Sequence, residues 1–219
     1  MTGGFLFCYT NYTSSFNQGE SMTIVPKGKF IVLYGINNIG KSTQVKLLYE
    51  SIKASGRFCV SIKYAQYDVN PSGPLLNDYL RKQNPLGLTA REFQILHALN
   101  RTQCQERLET FLSQGVHVVC EDYIGTSLTW GIAAGVDKDF LINLNNHLTQ
   151  PDLAILLDGN RFLASTETGH KHETDSELTA RVRLEHLYLA REYGWPIIDA
   201  NQTIAQVAKD IWDHASALL

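Results

Sequence analysis

The chain has 219 residues, 44% hydrophobic and 19% charged, with a formal net charge of −3. Those totals suit one globular α/β domain with a substantial core, and they exclude a dedicated polynucleotide binder while leaving room for basic pockets that hold small phosphates. No apolar stretch approaches the roughly 20 residues that span a bilayer. The four cysteines, Cys8, Cys59, Cys104 and Cys120, show no metal-binding spacing. Free thiols and a reducing cytoplasm are therefore the expectation.

Residues 1–27 are rich in Gly, Ser, Thr, Asn and aromatics without a period, and lack the basic start and apolar core of a signal peptide. They read as a mis-assigned start or a disordered extension, with Met22 as a natural alternative beginning. Phe30–Tyr34 is a continuous apolar run, as expected of a strand buried on both faces of a parallel sheet. Directly after it stands Gly35-Ile36-Asn37-Asn38-Ile39-Gly40-Lys41-Ser42-Thr43, the spacing G-x-x-x-x-G-K-[ST]. Between a strand and a helix, this loop turns its amide N–H groups inward around an anion. Lys41 is placed to reach the β- and γ-phosphates, and Ser42 to ligate Mg²⁺. The chain is thus expected to bind a nucleoside triphosphate.

The helix predicted over Lys41–Ala54 places Val45, Leu48 and Ile52 on one face. A second strand is predicted over Cys59–Tyr64, followed by a turn-rich loop containing Tyr67 and Asp68. Arg91–Gln114 reads as a long helix in which Asn100 and Arg101 lie one turn beyond His97. Arg101 has the geometry to clamp a phosphate. The third strand, His117–Cys120, ends in Glu121-Asp122-Tyr123. If the strand persists, these two carboxylates point to opposite faces, and only one faces a metal. Leu153–Leu157 is a fourth strand, capped by Asp158, and Pro196–Ile198 a fifth. Between them, about 161–183 is polar and rich in His, Lys, Thr and Glu, which suits a small cationic lid. Val182–Tyr193 and Ile204–Leu218 complete the helices.

The predicted fold is α/β with the architecture of a P-loop NTPase, a five-stranded parallel sheet flanked by helices on both faces and carrying a small lid. Residues 28–219 are read as one P-loop domain, with residues 1–27 as an extension. Ligands in such sheets bind beyond the carboxyl ends of the strands.

In this order and spacing, the segments resemble the thymidylate kinase family of nucleoside monophosphate kinases. The resemblance rests on the phosphate loop, on Ala98-Leu99-Asn100-Arg101, and on Val119 to Tyr123 continuing through Trp130. It extends through His172-Glu173-x-Asp175, Arg181-Val182-Arg183 and Asp199 to Ile204. It implies transfer of the ATP γ-phosphoryl to dTMP with Mg²⁺, a role in nucleotide biosynthesis, and a homodimer without nucleic-acid or membrane partners. It also implies roles residue by residue. Gly35, Asn38, Gly40, Lys41, Ser42 and Thr43 hold the triphosphate, and Asn201 and Gln202 lie beside adenine. Ser42 and Glu121 serve the metal. Asn37, Tyr67, His97, Asp122 and Trp130 surround the acceptor nucleoside, and Arg101 holds its phosphate. Lys171 and Arg181 supply lid cations.

The chain departs from the family pattern in several places; the Arg-Glu-Pro type substrate loop is absent, with Tyr67-Asp68 in its general place, and the phosphate loop lacks an arginine. Asn37 stands where the family often carries an acid, and Asp122 replaces the arginine of its Asp-Arg-Tyr segment. A compensating cation, Arg91 or Arg101, is expected. Two further functions fit the same loop: a deoxynucleoside kinase acting on a 5′-hydroxyl, and a nucleotide-binding protein without turnover.

Overall fold

The computed structural model describes residues 26–160 and 176–219. Most of the N-terminal segment, and the part of the expected lid holding Lys171, lie outside the described residues.

The strands β1 (Phe30–Tyr34), β2 (Cys59–Lys63), β3 (His117–Glu121), β4 (Leu153–Asp158) and β5 (Ile197–Asp199) form one sheet in the order β2-β3-β1-β4-β5. All neighbouring pairs are parallel. The helices among the described residues are α1 (Lys41–Ala54), α2 (Ser72–Arg81), α3 (Ala90–Ser113), α4 (Ile124–Ala133), α5 (Lys138–Asn145), α6 (Ser176–Tyr193) and α7 (Ile204–Ser216). This is the expected P-loop NTPase arrangement.

Alternation along β1 divides the core. Phe30, Val32 and Tyr34 pack with Leu108 and Leu112 of α3 and Leu189 of α6. Ile31 and Leu33 pack with Leu48 and Ile52 of α1 and Val207 and Ile211 of α7. The central strand is therefore apolar at every position because helices cover both faces. The edge strands depart from that expectation: Ser61 and Lys63 of β2, and Ile197 and Asp199 of β5, are exposed.

Local chemistry fixes the helix starts that matter. Thr89 caps α3, accepting from the Glu92 N–H at 3.2 Å while Glu92 accepts from the Thr89 N–H at 2.7 Å. This reciprocal pair satisfies two donors that the first turn leaves open. Asn100, fully buried on α3, accepts from the Gln66 N–H and donates to the Gln66 carbonyl, both at 2.9 Å, and also donates to Ser72 Oγ. It thereby ties the loop after β2 to α3 and sets the wall of the site.

Candidate active site

A cleft of about 750 Å³ opens at the carboxyl ends of β1, β2 and β3. One wall is the phosphate loop. Gly35 begins it at φ 145°, where a Cβ would stand 2.6 Å from the Leu157 carbonyl oxygen. Gly40 ends it at φ 94°, in the left-handed region, immediately before α1. Both positions require glycine. Asn37, Asn38, Ser42 and Thr43 line the cleft, with Ser42 and Thr43 exposed at the positive end of α1. Lys41 is buried, and its ammonium donates to the carbonyls of Gly35 at 2.9 Å and Ile36 at 3.0 Å.

Glu121 and Asp122 both line this cleft, which corrects the expectation from strand alternation. β3 ends at Glu121, and Asp122 turns into the left-handed region at φ 61°. Its carboxylate accepts from Thr126 Oγ1 at 2.8 Å and stands 3.7 Å from the Lys41 ammonium. Burial raises the Asp122 pKa against the pull of Lys41. Glu121 pairs at 2.7 Å with Lys63, the last residue of β2, aligned with it in register. Burial works against the Lys63 charge, yet Glu121 holds its pKa above the ordinary lysine value. Ser42 and Glu121, which both line the cleft, carry oxygen donors of the kind that suit Mg²⁺.

The far wall is aromatic. Tyr67, Phe93, His97 and Trp130 all line it. Phe93 stacks on Tyr79 at 3.7 Å between centroids and meets the His97 ring edge-on at 4.5 Å. The Arg81 guanidinium lies 4.9 Å over the Tyr67 ring. Ser127 donates to Gln94, joining α4 to α3 behind this wall.

Arg101 forms the floor and is only 2% exposed. Its Nη1 donates to the Tyr123 carbonyl at 3.3 Å, while Nε and Nη2 are buried without a partner among the described residues. Burial lowers its pKa from 12.5 to about 10, so it stays charged at neutral pH. A buried cation with two open donors is a binding surface for a ligand's oxygen atoms.

The remaining expected residues are placed differently. Gln202 lines the cleft, but Asn201 braces the loop behind it, with both its amide groups held by Asp199 and its Oδ1 accepting from the Asn160 N–H at 2.9 Å. Arg181 is turned out of the cleft, because Thr179, Val182 and His186 form the buried face of α6. It lines a separate hollow with Ile132, Leu184 and Tyr188. Arg183 is held bidentately by Asp158 at 2.6 and 2.9 Å. Arg91 lies 3.5 Å over the Phe140 ring and is not among the cleft residues. Sequence reading missed Lys63, whose partner Glu121 is 58 residues away in the chain. The only local signal was a lysine ending an otherwise apolar run.

A thymidylate kinase family model matches residues 33–211. A thymidylate kinase of Danio rerio is 29% identical over 88% of this chain and 92% of its own length. A probable thymidylate kinase of Pyrobaculum calidifontis is 32% identical over 83% of this chain and 93% of its own. A solved thymidylate kinase structure from Candida albicans superposes with a TM-score of 0.71 at 23% identity, covering 87% of this chain and 92% of that one.

Proposed function

The chain belongs to the thymidylate kinase family, the ATP-dependent kinases of dTMP, and we propose how its cleft divides that work. The observation that carries the proposal is one continuous cleft. A phosphate loop forms one wall, and an aromatic wall over a buried, two-donor arginine faces it.

The donor ATP lies along the phosphate loop, its γ-phosphate at the start of α1. Backbone N–H groups between Gly35 and Lys41 and the helix dipole cradle the phosphates. Lys41, whose ammonium donates to the nearby Gly35 and Ile36 carbonyls, is placed to meet the β- and γ-oxygens. Gln202 borders the adenine end. The acceptor nucleotide enters against Tyr67, His97 and Trp130, with Asn37 at the loop side, and Arg101 turns its two unpartnered N–H groups to its oxygens.

An oxygen of the dTMP phosphate then attacks the γ-phosphorus. The new P–O bond forms as the bond to the β-bridging oxygen breaks, leaving dTDP and ADP. No protein group is covalently modified, so the rate gain comes from alignment and from neutralising charge on the transferring phosphoryl. Ser42 and Glu121 would hold Mg²⁺, which would supply charge neutralisation for the phosphates.

The same reading includes a homodimer, supported by exposed Ile95 and Leu99 on α3. It also includes a reducing cytoplasm, supported by free Cys59, Cys104 and Cys120. Among the described residues, no helix is long and apolar enough to cross a membrane.

ADP release measured at equal concentrations of dTMP, dUMP, UMP, CMP, AMP and GMP tests the reading. Fastest turnover with dTMP is expected. Faster turnover with thymidine than with dTMP would reassign the reaction to a 5′-hydroxyl, and no acceptor-dependent release at all would remove kinase turnover.

A further inference from the structure

The acceptor phosphate carries two negative charges into a cleft where Asp122 stands in place of the family's arginine, so another cation must receive it. Four cations line the cleft among the described residues: Lys41, Lys63, Arg81 and Arg101. Lys41 belongs to the donor loop. Arg81 lies over the Tyr67 ring and donates to Asn77 Oδ1 at 3.1 Å, which places it at the nucleoside end. Arg101 meets the acceptor from the floor, fixed by its bond to the Tyr123 carbonyl, and is one cation for two phosphate charges. Arg91 is outside the cleft.

Resting on the dTMP kinase reading, we propose that Lys63 binds the acceptor phosphate together with Arg101, supplying the cation missing at Asp122. Its position suits the task. It ends β2 immediately before the Tyr64–Asn70 loop that borders the acceptor, and its register partner Glu121 is aligned with Leu33, two residues before the phosphate loop. It lines the cleft, and its side chain is 61% exposed rather than packed into the core. Glu121 takes one of the three ammonium donors at 2.7 Å, and the fixed end leaves the others for phosphate oxygens. Glu121 therefore acts as a tether that points Lys63 at the junction of the donor and acceptor halves.

The test compares dTMP with thymidine, which differs only in the phosphate, by calorimetric binding to the wild-type full chain, Lys63→Met and Lys63→Arg. Steady-state kinetics accompany the binding. Lys63→Met is expected to weaken dTMP roughly 10- to 100-fold, the usual effect of one charged hydrogen bond. It should leave thymidine affinity and the KM for ATP unchanged. Lys63→Arg should restore most of the dTMP affinity, which a purely structural role would not require. Equal weakening of dTMP and thymidine, or no change in either, overturns the proposal. Those outcomes leave the dTMP kinase reading intact so long as the wild type turns over dTMP; a wild type inactive with dTMP would sink that reading instead.

Discussion

Arg101→Met separates what the guanidinium does for binding from what it does to the fold. Arg101 is a poor structural residue: it is charged, 2% exposed, and among the described residues makes one 3.3 Å hydrogen bond while Nε and Nη2 have no partner. An unsatisfied buried donor costs about 1–3 kcal/mol, and more when charged. The fall of its pKa from 12.5 to about 10 points to the same scale, about 3 kcal/mol at 1.4 kcal/mol per pH unit. Methionine fills the space of the arginine stem without these donors. The loss is the bond to the Tyr123 carbonyl, worth about 1 kcal/mol, and that carbonyl keeps the Ser127 N–H at 3.4 Å.

The variant is therefore expected to be more stable by about 1–3 kcal/mol, raising the melting temperature of a domain this size by roughly 2–4 °C per kcal/mol. Activity should move the other way, with kcat/KM for dTMP falling about 100-fold or more as two charge-assisted hydrogen bonds are lost. Thermal melts with and without dTMP read both effects. Saturating dTMP should raise the wild-type melting temperature, because it binds only the folded state, and should barely move the variant. A variant that melts lower and still binds dTMP would refute the argument, since the guanidinium would then be structural.

His186 predicts acid sensitivity. Burial and then the Lys41 charge lower its pKa from 6.5 to about 3, so the unfolded chain binds a proton near pH 6.5 that the folded chain refuses. Stability contributed by this site is complete above pH 6.5 and falls on acidification, by about 2 kcal/mol at pH 5; urea unfolding of His186→Gln should lack that component, and an unchanged pH slope would count against it. Gly125→Ala should destabilise by about 1–3 kcal/mol through overpacking. Its Cβ would stand 2.7 Å from the Trp195 ring and 2.8 Å from the Tyr34 ring, and an unaltered melting temperature would contradict this packing. Asp122→Arg, which restores the residue resembling the family, is expected to lower activity, because it replaces the partner of Lys41 with a like charge at 3.7 Å. Combined with Lys63→Met the loss should be less than the sum of the two, and strictly additive losses in the kinetic cycle would argue against a shared phosphate role.

The fold was legible where one local signal decided the structure. Phe30–Tyr34 and Lys41–Ala54 match their predicted bounds because an apolar run, a fixed loop spacing and Gly56 leave little choice. The helix α4 was not predicted, since Gly125 and Gly131 are poor helix formers. Both are small because other elements press close there, Trp195 and Tyr34 on Gly125 and Leu141 on Gly131. Long-range packing overrode local propensity. The start of α3 was marked by Thr89 and Glu92, three residues apart, a capping signal the periodicity reading passed over by two residues. Of the candidate site, the phosphate loop and the aromatic wall could be read from the chain. The direction of Asp122, the outward turn of Arg181 and the bracing role of Asn201 could not, because each is set by where a strand or helix stops relative to its neighbours.

The charge reversal at Asp122 is best understood through pairing rather than subtraction. At the carboxyl end of the sheet two carboxylates meet two ammoniums, Asp122 with Lys41 at 3.7 Å and Glu121 with Lys63 at 2.7 Å. An isolated acid at position 122 would repel the incoming phosphate and carry a desolvation penalty as well. Beside Lys41 at 3.7 Å and bonded by Thr126, it is instead paired, and its charge is balanced by that of the donor lysine. The acceptor phosphate then loses a cation on β3 and gains one on β2, reached across the same register.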